Sequence, residues 1–196
     1  MKDNPYREDR EQLRELLNQY ENLKNGRHNS FLEEEAFGKI IDYYQEKEDL
    51  PRAMEAAILG TNQYPYSSSL LLKKADILIG RRKYAEAVDV LDQASLLDSN
   101  DITLYILKTD AFLALDQQEK AVQVLSEALE LFTGEDRIEL LFELADVYDD
   151  YEDFDKVFDC LIHIVRAHGE LVWELKELAI AVIILWLLLK HAGPLF

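Results

Sequence analysis

This chain is short of the residues that punctuate irregular folds. Its 196 residues include seven glycines and four prolines, which argues against a loop-rich architecture and suits a mostly helical one. A single cysteine, Cys160, excludes an internal disulfide. It falls in a helical pattern among Phe158, Leu161 and Ile162, so a buried thiol is expected rather than a reactive one. Basic residues are also scarce: 21 Lys and Arg against 39 Asp and Glu give a formal net charge of −18. That balance disfavours nucleic acid and anionic membrane surfaces as partners and favours solubility and a basic partner. The opening residues, MKDNPYRED, carry no apolar core of a secretory signal, so a reducing, cytoplasmic setting is expected.

Catalytic patterns are missing as well. The sequence contains no Gly-rich phosphate loop and no G-x-S-x-G elbow. His28, His163, His168 and His191 are scattered, and the five-residue step from His163 to His168 puts those two on different helix faces. Ser67-Ser68-Ser69 reads as a turn and cap cluster. The acidic stretch 149–155, DDYEDFD, lacks the glycine of a calcium loop and reads as a solvated turn and helix N-terminus. No enzymatic activity, metal site or cofactor is expected.

What the chain does have is a period. Ala53, Ala87 and Ala121 stand 34 residues apart and open the patterns Ala53/Ala57/Gly60, Ala87/Leu91/Ala94 and Ala121/Leu125/Ala128. A fourth copy, Val157/Leu161/Ile164, follows 36 residues on. Self-similarity at this interval marks stacked helical hairpins, whose usual output is a binding surface rather than a catalytic pocket. Helix pairs are expected at about 31–46 with 51–63, 68–80 with 84–97, 102–115 with 118–132, and 136–150 with 154–168. Pro51 suits a first helical turn, and Ser67 and Asp101 suit N-caps. A helix over 5–23, opened by Pro5, precedes the array, and the turn formers of 25–30 separate the two.

These residues resemble the tetratricopeptide repeat (TPR). The resemblance covers about 31–168. It rests on the small or apolar positions Ile41, Ala75, Thr109 and Ala145 in the first helices, the alanine column in the second, and Pro65 at the close of the first repeat. Phe37, Leu71, Tyr105 and Leu141 stand where the family has an early tryptophan, and the later repeats lack the closing proline. The resemblance implies an all-α, right-handed helical solenoid of four hairpins, with 1–30 as an N-terminal capping helix and turn. It also implies a concave groove lined by the first helices. Asp42, Asp76, Asp110 and Asp146 recur one residue after the small position, at intervals of 34, 34 and 36. In such a groove they would form an acidic column for an extended basic peptide, or else pair with neighbouring Lys or Tyr side chains of the scaffold. Glu35, Gln45, Ser69, Leu72, Thr103, Ile106, Glu139, Phe142 and Asp149 are expected on the same surface. The family's clamp for chaperone tails uses basic side chains, so that activity is not implied here.

The last stretch departs from the pattern. In 169–196, Leu171, Leu175, Leu178, Val182, Leu185 and Leu189 make one helical stripe; Trp173, Ile180, Ile184 and Leu187 make a second, widened by Ile183 and Trp186. The unbroken apolar run, 178–189, would be about 18 Å of helix, short of the ~20 residues of a membrane span. Lys176, Glu177 and Lys190 bound it. A helix apolar on two sides at the end of a stack exposes more than a monomer tolerates, so an interface is expected, closed by self-association into a homo-oligomer; a helix buried within one monomer and a membrane anchor are the competing readings. The shift from an acidic, Tyr-rich repeat region to a Leu/Ile/Val/Ala/Trp segment suggests an engineered assembly: a TPR scaffold with a redesigned terminal helix. The alternative is a natural cytoplasmic TPR adaptor that binds a basic peptide or protein in its acidic groove.

Overall fold

The computed structural model of the protein describes residues 5–26 and 31–167. The expected oligomer interface, Leu171 through Leu189, lies outside the described residues, as do His28, His168 and His191.

Among the described residues there are nine α-helices and no strands: α1 (Pro5–Lys24), α2 (Glu34–Glu46), α3 (Leu50–Gln63), α4 (Ser68–Gly80), α5 (Tyr84–Leu97), α6 (Ile102–Ala114), α7 (Gln118–Leu131), α8 (Gly134–Asp150) and α9 (Phe154–Ala167). The starts follow from local chemistry. Asp49 caps α3 by accepting from the Arg52 amide, with Pro51 in the first turn, where its missing N–H leaves no bond unmade. Ser67 caps α4 through the Leu70 amide, and Asp101 caps α6 through the Thr103 amide.

Each first helix ends the same way. Glu48, Arg82, Asp116 and Glu152 all have φ between 57° and 59°, so the left-handed residue recurs at 34, 34 and 36. Around Arg82, its own amide donates to the Ile79 carbonyl and the Lys83 amide to the Leu78 carbonyl, both at 2.8 Å. Equivalent bond pairs flank Glu48, Asp116 and Glu152. This closure satisfies carbonyls that a helix end leaves open, and it usually selects glycine. Here four charged residues occupy it. The acidic stretch 149–155 closes α8, turns over 151–153 and opens α9: Glu152 is its left-handed residue, and Asp153 pairs with Lys156 at 2.7 Å.

The chain forms two compact units, one through Val124 and one from Leu125, with α7 running across the division. In the first unit α2 packs on α3 and α4 on α5; α3 then packs on α4 and α5 on α6, while α2, α4 and α6 neighbour one another directly. The core is the alanine column with its partners: Ala53, Ala57, Ala87, Leu91 and Ala121 have no solvent exposure, and Gly60 is buried. A Cβ on Gly60 would stand 3.1 Å from Phe37 Cγ and 3.2 Å from Leu70 Cδ1, so any side chain there would press on two core residues. The positions in place of the family's tryptophan, Phe37, Leu71 and Tyr105, are buried too. Helix α1 attaches through Tyr20, which is fully buried against Tyr44, and through Lys24, which pairs with Glu55 at 2.6 Å.

In the second unit α8 packs on α9. The fourth copy of the column departs from the expected pattern. Cys160 and Ile164 are buried, whereas Val157 is half-buried and Leu161 is exposed. Helices α3 and α5 are each covered by the first helix of the next hairpin; no further helix follows α9 among the described residues. Valine also cannot approach a neighbouring backbone as closely as alanine.

Candidate functional site

The small positions of the first helices, Ile41, Ala75, Thr109 and Ala145, are all buried. One residue on is a rotation of about 100°, which turns Asp42, Asp76, Asp110 and Asp146 outward, and all four are exposed. The structure therefore brings three of the predicted carboxylates to one face of the first unit, on α2, α4 and α6; Asp146 lies on α8, in the second unit. Phe142, also on α8, is 49% exposed. Of the expected neighbours, Glu35, Ser69, Thr103, Glu139 and Asp149 are exposed and Gln45 and Ile106 half-buried. Leu72 is buried, because α2 and α6 both neighbour α4 there.

The three carboxylates of the first unit are not equivalent. Asp42 accepts from the Lys73 ammonium at 2.5 Å. Asp76 accepts from the Gln45 amide at 2.6 Å. Both partners come from a neighbouring first helix, so these contacts also tie α2 to α4. Asp110 stands beside Asp76, and its carboxyl is held above the usual carboxylate range, first by loss of hydration among the surrounding helices and then by the Asp76 charge. Solvent still reaches it, so the effect is that of a crowded surface rather than of an interior.

The expected alternative, pairing with scaffold lysines, holds at Asp42; the particular lysines of this face were not named from the sequence. Lys39 pairs with Glu35 at 2.8 Å, and Lys73 reaches across to Asp42. The five charged side chains Glu34, Glu35, Lys39, Asp42 and Lys73, with Ser69, surround an open cavity of about 490 Å³ over Gly38. Glu34 is tied down by a 2.7 Å hydrogen bond from the Ser67 hydroxyl. The sequence signal was present, since Gly38 sits 34 residues before Leu72 and 68 before Ile106.

Other candidate groups are accounted for structurally. Cys160 is buried, and burial followed by the Asp159 charge pushes its thiol up to about 11, away from thiolate chemistry. Among the described residues no three His, Cys, Asp or Glu side chains are grouped to hold a metal ion, and no helix is long and apolar enough to cross a membrane.

Helix pairs at 34-residue intervals, a small-residue column between them and first helices side by side define the TPR fold, and this chain has it. Solved structures agree. The chain is similar to TTC0263, a thermophilic TPR protein of Thermus thermophilus, at 16% identity over 86% of this chain and 89% of that one, with a TM-score of 0.61. It is similar to MamA 41-end of Desulfovibrio magneticus RS-1 at 16% identity, 81% and 96% coverage, and a TM-score of 0.62. The first TPR of Spaghetti (RPAP3), solved bound to the HSP90 peptide SRMEEVD, matches at 20% identity, 61% and 95% coverage, and 0.54. No protein-family model and no curated protein matches the chain.

Proposed function

We propose that this protein is a non-enzymatic interaction scaffold whose α2–α4–α6 face takes an extended basic peptide or protein segment. The observation that carries the reading is the row Asp42, Asp76, Asp110: the same residue type, at the same register, exposed on three adjacent first helices. The RPAP3 repeat is a case of a TPR surface that holds a peptide. That peptide ends in acidic residues, and an aspartate row on a chain of net charge −18 repels such a ligand and attracts its opposite. The Asp76–Asp110 pair is the centre of the site, because two crowded carboxylates gain most from a shared cation. Replacing both with Asn should weaken binding of an oligo-arginine peptide by about tenfold, on the scale of lost charge-assisted hydrogen bonds. Unchanged binding would refute the groove.

A second function rests on the sequence of 171–189. Its two apolar stripes support self-association into a homo-oligomer, and the compositional break before them supports an engineered origin for that segment. Light scattering after size exclusion, without detergent, measures the mass of the parent and of a variant with Ile180, Ile184 and Leu187 made polar. A discrete multimer that falls to the 22.8 kDa monomer supports this reading; a monomeric parent removes it.

A further inference from the structure

The groove face carries a gap. Along the first helices, one register holds Leu72 on α4 and Ile106 on α6; the same register on α2 is Gly38. A glycine inside a helix costs roughly 1 kcal/mol against alanine, and no conformational need explains it here: it lies within α2, and its φ is not positive. Nor is it forced by crowding. A Cβ at Gly38 would meet only Lys73 Cε, at 3.5 Å, an ordinary contact. Gly38 instead forms part of the wall of the cavity of about 490 Å³, with the Lys73 stem lying over it.

Lys73 shows what suits that space. Its methylene stem passes over Gly38, and its ammonium reaches the Asp42 carboxylate at 2.5 Å. An apolar stem on bare backbone with a cationic head on a carboxylate is the pose of a basic side chain in a pocket. We propose that the cavity over Gly38 receives an arginine or lysine side chain of the bound basic segment, and that Lys73 is its internal competitor. This rests on the groove reading above and names a subsite within it.

Charge selects the occupant. Three carboxylates, Glu34, Glu35 and Asp42, outnumber two ammonium groups, Lys39 and Lys73. An apolar side chain would strip water from five charged groups, and an anion would face the carboxylate excess. The Lys39–Glu35 pair is open to solvent, its side chains 59% and 78% exposed, and exposed pairs of this kind are worth little. The Lys73–Asp42 pair is more enclosed, 30% and 51% exposed, so it is the contact an entering side chain has to displace. When Lys73 swings into water, arginine can bridge with its planar fork what lysine meets as a point charge.

The test uses fluorescence anisotropy of a labelled oligo-arginine peptide on the full chain at low ionic strength, with oligo-glutamate as the control ligand. Lys73→Ala removes the competitor and should tighten binding about fivefold. Lys74→Ala makes the same change in net charge away from the cavity and should shift binding by less than about twofold. Gly38→Leu supplies the side chain of the neighbouring repeats and should weaken binding about fivefold, with helicity retained by circular dichroism. Suppose oligo-arginine binds and the Asp76/Asp110 double variant weakens it. If Lys73→Ala then only matches Lys74→Ala and Gly38→Leu changes nothing, the subsite is overturned and the groove stands. No oligo-arginine binding by the parent or by Lys73→Ala overturns both.

Discussion

On the second helices Ala53, Ala87 and Ala121 are sealed from solvent; on the first helices Asp42, Asp76 and Asp110 recur at the same 34-residue interval and face water. The interval alone does not say which set is scaffold and which is surface. The alanines repeat because each hairpin must approach the next closely, and any larger side chain meets a packed neighbour. The aspartates repeat under no such demand. Asp42 has a lysine and Asp76 an amide as partner, while Asp110 has an unfavourable neighbour in Asp76. A buried repeat is explained by its packing; of the exposed repeat, Asp42 and Asp76 are used to tie α2 to α4, and Asp110 alone stands in an unfavourable setting.

That contrast can be pressed from both sides. The largest effect should come from the buried set. Phe37→Ala opens a cavity against Gly60 and Tyr64, and a loss of about 3–5 kcal/mol is expected in urea denaturation. Thr109→Val sharpens the contrast at the boundary between column and row. Its hydroxyl is buried with no hydrogen-bond partner, so the isosteric apolar replacement should stabilise by about 1 kcal/mol, read the same way. Arg82→Gly should stabilise by about 0.5–1 kcal/mol, because glycine occupies φ 59° without a Cβ penalty. The smallest effect belongs to the exposed set. Folded Asp110 holds its proton more tightly than an unfolded aspartate, so its charge lowers stability at neutral pH. That loss disappears as pH falls through the folded value towards the ordinary carboxylate one. Asp110→Asn should therefore exceed the parent slightly in stability at pH ~7 and equal it near pH ~3.5, as followed by denaturation at both values.

Much of the fold was legible because it is written in spacing. The helix pairs, the caps Ser67 and Asp101, and the column through Ala128 follow from period, polarity and side-chain size. The fourth hairpin was less legible. Val157 and Leu161 keep the register, but burial passes to Cys160 and Ile164, because register alone does not say what covers a helix. The turns were hidden for a different reason. A left-handed residue is usually announced by glycine, and Glu48, Arg82, Asp116 and Glu152 announce nothing. On the face of the first helices the aspartate row was readable, and so was its pairing with scaffold lysines, which Lys73 supplies to Asp42; which lysine would serve was not. The Lys73–Asp42 pair links residues 31 apart through side chains long enough to reach the next helix, a reach that one-dimensional periodicity does not record.

The left-handed closures carry a consequence for how each joint depends on the stack. Each turn satisfies its backbone within its own hairpin, using carbonyls from the helix it ends. Each intra-hairpin joint is therefore complete in itself: its geometry depends on no contact with the hairpins on either side, so changing the stacking around it leaves its bonds unaltered.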